Sequence, residues 1–201
     1  PAPERLLTDN GGPQLGQVAL CQMGALEQVV GHDDGQHRVP QELLPLVDIC
    51  IANDEDAPAG LGMTCVSGSL AHGIEERDTY VEMARQICAE YGCKKVASVV
   101  RNISCVERSI WMGMLFDAES GEHWFSPAHD VHVLEGVAAG DAFNAGLVHA
   151  LINDFDPQAA VNYAIAASIL KLTIKGDSNL VTADEIAAVA NAADGGTRVA
   201  R

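Results

Sequence analysis

The fold of this chain is decided by one short run of small residues, Gly136-Val137-Ala138-Ala139-Gly140-Asp141-Ala142-Phe143-Asn144-Ala145-Gly146. After Asp141, apolar residues recur at the spacing of a helix, at Phe143, Leu147, Ala150 and Leu151. The pattern therefore predicts a small-residue turn that leads into a helix with an acid at its N-terminus.

A turn of this kind is suited to binding an anion. It exposes backbone N–H groups, and the N-terminus of the helix adds partial positive charge. A carboxylate at the same place can take a proton from a nearby hydroxyl, which makes Asp141 a candidate general base. The alternative is an ordinary loop in which Asp141 only caps the helix.

Composition and charge limit the classes of function. The chain has 201 residues, 48% of them hydrophobic, which is enough for one substantial domain or two small ones. Its formal net charge is −16 and it has no Lys/Arg cluster, so we expect neither nucleic acid nor a membrane surface as a partner.

The cysteines and histidines do not form a metal-binding pattern. The six cysteines make no C-x-x-C pair and the seven histidines make no H-E-x-x-H motif, so a structural zinc site is not expected. Cys50 and Cys88 fall in apolar patterns and are interpreted as buried thiols, which favours a reducing cytoplasm. No signal peptide or apolar run of transmembrane length is found.

Along the chain we distinguish a poorly defined N-terminal segment (1–40), a main domain (41–194) and a short tail (195–201). Glycine and proline punctuate the first segment, and its apolar stretch from Val18 to Val30 fits a helix or a strand with its turn.

A buried strand is predicted at Val47 to Ala52, followed directly by Asn53-Asp54-Glu55-Asp56. The polar residues would lie at the carboxyl edge of a sheet, where open α/β sheets bind ligands. A solvated acidic turn is the alternative.

Helices and strands alternate further along the chain, which predicts a three-layer α/β fold with a mostly parallel sheet and flanking helices. The predicted elements are a helix at Asp78–Tyr91 closed by Gly92, a strand at Lys95–Val100 ended by Arg101, a hairpin of Trp111–Phe116 with Glu122–Phe125, a helix opened by Asp156-Pro157 that runs through 159–172, and a helix at 183–192 behind a Thr182–Glu185 capping box.

Four stretches, in this order and spacing, resemble the ribokinase-like (PfkB) carbohydrate kinase family, and within it the 2-keto-3-deoxygluconate kinase branch. They are residues 47–56, residues 95–101 with Trp111, residues 138–143 and residues 166–177. The A-A-G-D run of residues 138–141 is similar to the family's G-A-G-D signature. The resemblance implies a ribokinase-like, Rossmann-like fold, although the family's N-terminal sheet-and-lid portion and Gly-rich signature are not found.

The resemblance also implies a function, the ATP-dependent phosphorylation of a sugar-acid hydroxyl with 2-keto-3-deoxygluconate as acceptor and Mg²⁺ as cofactor. Asp141 would take the hydroxyl proton. The segment Ala138, Ala139 and Gly140 would bind the phosphoryl group, with the amides of residues 139–141 forming the anion hole.

Further site residues are implied by their place in the family pattern. Magnesium would be organised by Asn53, Glu55 and Asp56. Arg101 would approach phosphates or the substrate carboxylate. Substrate would also contact Arg38, in the run Asp34-Gly35-Gln36-His37-Arg38, and the adenine pocket would be walled by residues 165–176, with Ser168 and Lys171.

Two departures from the family pattern concern the turn itself. Ala138 stands where the family has glycine, and Glu135 stands where it usually has aspartate. If residue 138 requires a positive φ, alanine is strained there.

Two other functions remain open. One is a non-catalytic nucleotide-binding or interaction module derived from the same fold, and the other is a nucleoside or fructose-phosphate kinase of the same family. The pattern of Trp111 with Leu170-Lys171-Leu172-Thr173 favours the keto-deoxy-sugar branch. Formation of a homo-oligomer is also left open.

Overall fold

The structure is a computed structural model that describes residues 20–22, 44–53, 57, 61, 72–105 and 107–192. Its strands are β1 (Leu20–Gln22), β2 (Ile49–Ile51), β3 (Lys95–Cys105), β4 (Arg108–Asp117), β5 (His123–Phe125) and β6 (His129–His132). Its helices are α1 (Arg77–Tyr91), α2 (Ala139–Ile152), α3 (Pro157–Lys171) and α4 (Ala183–Ala190), with a 3₁₀ turn at Leu44–Leu46.

The strands form one sheet in the order β1-β2-β3-β4-β5, with β6 also paired to β4. β1, β2 and β3 are parallel, with α1 as the crossover between β2 and β3. β4 is antiparallel to β3, β5 and β6. Among the described strands β4 therefore runs against all the others, and the predicted mostly parallel α/β sheet is confirmed.

Helices cover both faces of this sheet, as the three-layer prediction requires. On one face, α2, α3 and α4 share an apolar cluster with strand residues such as Val99. On the other face, α1 packs against residues such as Val100. Neighbouring strand residues thus enter opposite cores because successive side chains of a strand point to opposite faces.

The closest helix packing is between α2 and α3. A Cβ added to Gly146 would lie 3.0 Å from both the Cα of Ala164 and the Cβ of Ala167. The sheet approaches the same pair of helices at Gly113, where an added Cβ would lie 3.2 Å from Phe143. Phe143 is fully buried, so it anchors α2 between the sheet and α3.

The predicted helix ends are confirmed by their hydrogen bonds. Gly92 adopts φ 77° and its N–H donates to the Cys88 carbonyl at 2.9 Å. The Asp156 side chain accepts from the N–H of Ala159 at 3.0 Å. Thr182 and Glu185 form the predicted capping box.

Some predicted boundaries were wrong. Arg101 does not end a strand, because β4 continues to pair with β3 as far as Cys105, with Arg101 opposite Trp111. The pairing of β4 with β5 confirms the predicted hairpin. The last helix ends at Ala190, two residues before the predicted end at position 192.

Cys50, Cys88, Cys93 and Cys105 form no disulfide bond. Cys50 is buried as predicted, whereas Cys88 is half-buried, and its burial raises the pKa of the thiol to about 11. No helix in the described ranges has the length and apolar character needed to cross a membrane. Of the predicted apolar stretch Val18 to Val30, only β1 lies within the described residues.

Replacing Gly146 with valine should test the close approach of the helices. The added side chain must push α3 away, because backbone and side-chain atoms of α3 already lie at contact distance. We expect Gly146→Val to lower the free energy of unfolding by about 1–3 kcal/mol, measured by urea denaturation. The control is Ala145→Val on the exposed side of α2, for which we expect a loss of about 0.5 kcal/mol from helix propensity alone. Equal losses in the two variants would contradict the tight contact.

Candidate active site

The sheet topology brings three of the predicted site elements to one edge. β2, β3 and β6 run in the same direction, so their carboxyl ends face the same way. Asn53 follows β2, Arg101 lies in the part of β3 that extends beyond β2, and the small-residue turn follows β6. The N–H of Val133, at the start of that turn, donates to the Glu107 carbonyl between β3 and β4, which fixes the turn at this edge.

The turn before α2 is held by the end of α3. The N–H groups of Leu134 and Glu135 both donate to the Leu172 carbonyl, at 2.8 and 3.2 Å. Ala138 then adopts φ 61° in the left-handed region, and its carbonyl accepts the N–H of Ala142 at 2.9 Å. The predicted condition for strain at Ala138 is therefore met, because an alanine occupies a conformation that favours glycine.

A side-chain hydrogen bond from Ser168 of α3 fixes the first turn of α2. Its hydroxyl, fully buried in α3, donates to the Ala139 carbonyl at 2.9 Å. Ser168 was predicted to bind nucleotide. The structure places it in the core, where it holds the backbone of the proposed anion hole.

The first turn of α2 presents Gly140 and Asp141 to solvent, while Ala139 is buried. Backbone N–H groups of a first helical turn point out of the helix end, where partial positive charge accumulates. The arrangement suits a phosphoryl group, with a carboxylate on the same turn.

Arg101 lies on the same face of the sheet as α2. It follows Ala97 and Val99 in alternation, and both of these residues pack in the cluster that includes α2. Its guanidinium lies 5.5 Å from the centroid of the Trp111 ring, a cation–π contact that orients the half-buried side chain. Gly73 approaches the Arg101 carbonyl so closely that an added Cβ would lie at 2.7 Å from it.

Asn53 connects β2 to β3. Its side-chain oxygen accepts the N–H of Val99 at 2.9 Å, which extends the pairing beyond the end of β2. The predicted metal residues Glu55 and Asp56, and the predicted substrate residue Arg38, lie outside the described residues. Within the described part of the chain, no group of three or more His, Cys, Asp or Glu side chains could hold a metal ion. The oxygen ligands that Mg²⁺ prefers would come from the acidic segment that Asn53 precedes.

The predicted adenine wall divides into a buried and an exposed part. Residues 165–172 are buried, and the Lys171 ammonium donates to the Ile174 carbonyl at 3.1 Å. In the remainder of the wall, Thr173, Lys175 and Gly176 are exposed. The surface that this segment offers to a ligand is therefore its loop, while Lys171 stabilises the C-terminal end of α3.

Asn144 is a residue of this region to which the sequence reasoning gave no role. It lies one helical turn beyond Gly140 and is only 6% exposed. Within the described residues, neither its Oδ1 nor its Nδ2 has a hydrogen-bond partner. The sequence did contain a signal for this residue, a polar amide side chain among the small and apolar residues that follow Asp141.

An α/β sheet that carries an acid on the first turn of a small-residue helix is the architecture of the ribokinase-like kinases. Ribokinase of Thermotoga maritima shares this fold with a TM-score of 0.57 at 17% identity, over 87% of this chain and 49% of that one. The pfkB family carbohydrate kinase model matches residues 19–184, and the chain belongs to this family.

More similar structures include a 2-dehydro-3-deoxygluconokinase from Thermotoga maritima, 32% identical with a TM-score of 0.66, over 74% of this chain and 43% of that chain. A PfkB family carbohydrate kinase from Listeria grayi DSM 20601 is 28% identical with a TM-score of 0.61, over 75% of this chain and 43% of that chain. The chain thus spans less than half the length of these kinases.

Replacing Ala138 with glycine should relieve the strain in the turn. An alanine in the left-handed region costs about 1–2 kcal/mol. Glycine removes this cost but makes the unfolded chain more flexible, so only part of it appears as a gain in stability. We expect Ala138→Gly to raise the free energy of unfolding by about 0.5–1 kcal/mol in urea denaturation. In the control Ala145→Gly, at an exposed helical position, the same change should lower it by about 1 kcal/mol. Losses of similar size in both variants would show that residue 138 is not strained.

Proposed function

We propose that this chain carries the nucleotide-binding and catalytic part of a kinase that phosphorylates a sugar-acid hydroxyl, with 2-keto-3-deoxygluconate as the acceptor. The observation that carries the proposal is the left-handed turn at Ala138, which presents Gly140 and Asp141 at the exposed N-terminus of α2. Membership of the pfkB family gives the class of reaction.

In this proposal the first turn of α2 performs the chemistry. Asp141 accepts the proton of the acceptor hydroxyl on a carboxylate oxygen as the hydroxyl oxygen attacks. The amides of residues 139–141 bind the oxygens of the transferring group and stabilise their charge. When bound, ATP with Mg²⁺ supplies the phosphoryl group, and ADP is the leaving group. Phosphoryl transfer depends mainly on how the reacting groups are positioned. The buried hydrogen bond from Ser168 to Ala139 contributes to this positioning because it fixes the amides of the first turn.

Arg101 supplies positive charge at this edge of the sheet. Its guanidinium can bind phosphate or carboxylate with two parallel hydrogen bonds, and the Trp111 ring holds it in position. A sugar acid, unlike a neutral sugar, has a carboxylate for such a residue. In the same proposal Arg38 adds a substrate contact, and Asn53, Glu55 and Asp56 organise Mg²⁺.

The choice of acceptor is supported by similarity. The Thermotoga maritima structure at 32% identity is a 2-dehydro-3-deoxygluconokinase, which is another name for a kinase of 2-keto-3-deoxygluconate. We place the reaction in the reducing cytoplasm, which suits the absence of a disulfide bond at Cys50, Cys88, Cys93 and Cys105. Sugar acid and ATP are the proposed partners, and the net charge of −16 disfavours nucleic acid.

Replacing Asp141 with asparagine separates the proposed base from a simple helix cap. Asparagine keeps the shape and the capping ability of aspartate but cannot accept the proton. We expect Asp141→Asn to lower kcat by about 10²-fold or more in a coupled assay with 2-keto-3-deoxygluconate and ATP. The Kd for Mg·ATP, measured by calorimetry, and the Tm should remain close to those of the wild type.

The matched control is Asp154→Asn, an exposed aspartate just beyond the C-terminal end of α2, where turnover should not change. Unchanged turnover in Asp141→Asn would remove Asp141 from the chemistry and leave it as a cap. A wild-type chain that binds Mg·ATP without phosphorylating any sugar acid would instead support the non-catalytic nucleotide-binding module.

A further inference from the structure

The carboxamide of Asn144 is a buried polar group with unmet hydrogen bonds. The residue is only 6% exposed, and within the described chain neither Oδ1 nor Nδ2 has a partner. Leaving such groups unpaired away from water destabilises the folded protein. A leucine has nearly the same branched shape and would avoid this cost, so the amide needs an explanation outside the stability of the free fold.

The geometry of α2 shows where this amide lies. Gly146 packs against α3, and Asn144 is two positions earlier, about 200° around the helix. Asn144 therefore lies on the flank of α2 that faces away from α3. Gly140 and Asp141 are within about 40° and 60° of it around the helix, so the three residues share one flank.

Along the helix axis, the Asn144 side chain lies toward the first turn of α2. A helical side chain leans toward the N-terminus of its helix, so Asn144 covers the position of Gly140, four residues earlier. Gly140 is exposed and has no side chain. Both amide atoms are shielded from solvent. To reach a group seated on the first turn, the side chain would have to rotate over Gly140.

The chemistry of the amide selects among the groups that could sit there. A carboxamide offers one acceptor oxygen and two N–H donors. A phosphoryl oxygen can only accept, and would leave Oδ1 unpaired. A hydroxylated acceptor satisfies both atoms, because one hydroxyl donates to Oδ1 while its neighbour accepts from Nδ2.

We propose that Asn144 is a specificity-determining residue that binds the hydroxyl groups of the acceptor next to the one that Asp141 deprotonates. This inference rests on the proposed function, since it takes the acceptor to be seated on the first turn of α2. It predicts that the site discriminates against acceptors that lack these hydroxyls, because Asn144 would then stay buried and unpaired.

Replacing Asn144 with leucine should have opposite effects on stability and on acceptor binding. We expect Asn144→Leu to raise Tm by about 2–4 °C beyond the gain from helix propensity, because the unpaired amide is gone. The Kd of 2-keto-3-deoxygluconate, measured by calorimetry on the full chain, should rise about tenfold or more, while the Kd of Mg·ATP should not change. Asn144→Ala should show the same loss of acceptor affinity without the bulk of leucine.

The matched control is Asn162→Leu in α3. Asn162 is half-buried but paired, since its Oδ1 accepts from Gln158 at 2.9 Å. The control therefore carries the same gain in helix propensity without the removal of an unpaired amide, and acceptor binding should be unaffected. The difference in Tm between the two leucine variants isolates the cost of the Asn144 amide.

The outcomes separate this inference from the proposed function. Unchanged acceptor affinity in both Asn144 variants, with normal turnover, would overturn the role of Asn144 and leave the kinase assignment intact. A fall in Tm together with weaker binding of both acceptor and Mg·ATP would assign Asn144 to the packing of the turn and also overturn it. A wild-type chain that does not bind 2-keto-3-deoxygluconate would overturn both proposals.

Discussion

The site depends on the contact between α2 and α3, because that contact sets the position of the first turn of α2. Gly146 allows the two helices to approach closely, and Ser168 of α3 donates its buried hydrogen bond to Ala139. The end of α3 holds the preceding loop through the Leu172 carbonyl. A shift of α3 would therefore move the turn, its backbone amides and Asp141 together, and in our proposal such a shift would misplace the groups that act in phosphoryl transfer.

The turn before α2 contains a strained residue that the surrounding hydrogen bonds hold in place. Ala138 adopts a left-handed conformation that glycine would adopt freely, at a cost of about 1–2 kcal/mol. The flanking hydrogen bonds from Leu134 and Glu135 and the buried bond to Ala139 together outweigh that cost. Strained residues that the surrounding structure holds in place are common at functional sites, which agrees with the role proposed for this turn.

Polar and charged side chains close to the first turn of α2 fit a polar ligand. Among the described residues Asn144 is buried without a hydrogen-bond partner, Asp141 is exposed on the same flank of α2, and Arg101 lies on the face of the sheet that packs against α2. Core packing alone would favour apolar residues at the position of Asn144. In our proposals the same first turn binds the phosphoryl group through its backbone and the acceptor through its side chains.

The sequence by itself determined the elements whose signals are local. The capping box at Thr182, the Asp156-Pro157 helix start, the Gly92 helix end and the turn before Asp141 could all be predicted, because each depends on residues within one or two turns of chain. The tertiary structure decided the rest. It decided that β3 runs past Arg101, because the pairing with β4 is non-local, and that Ser168 is a buried support. It also left Asn144 without a hydrogen-bond partner among the described residues, which no sequence pattern could reveal, because hydrogen-bond satisfaction depends on which distant elements surround a side chain.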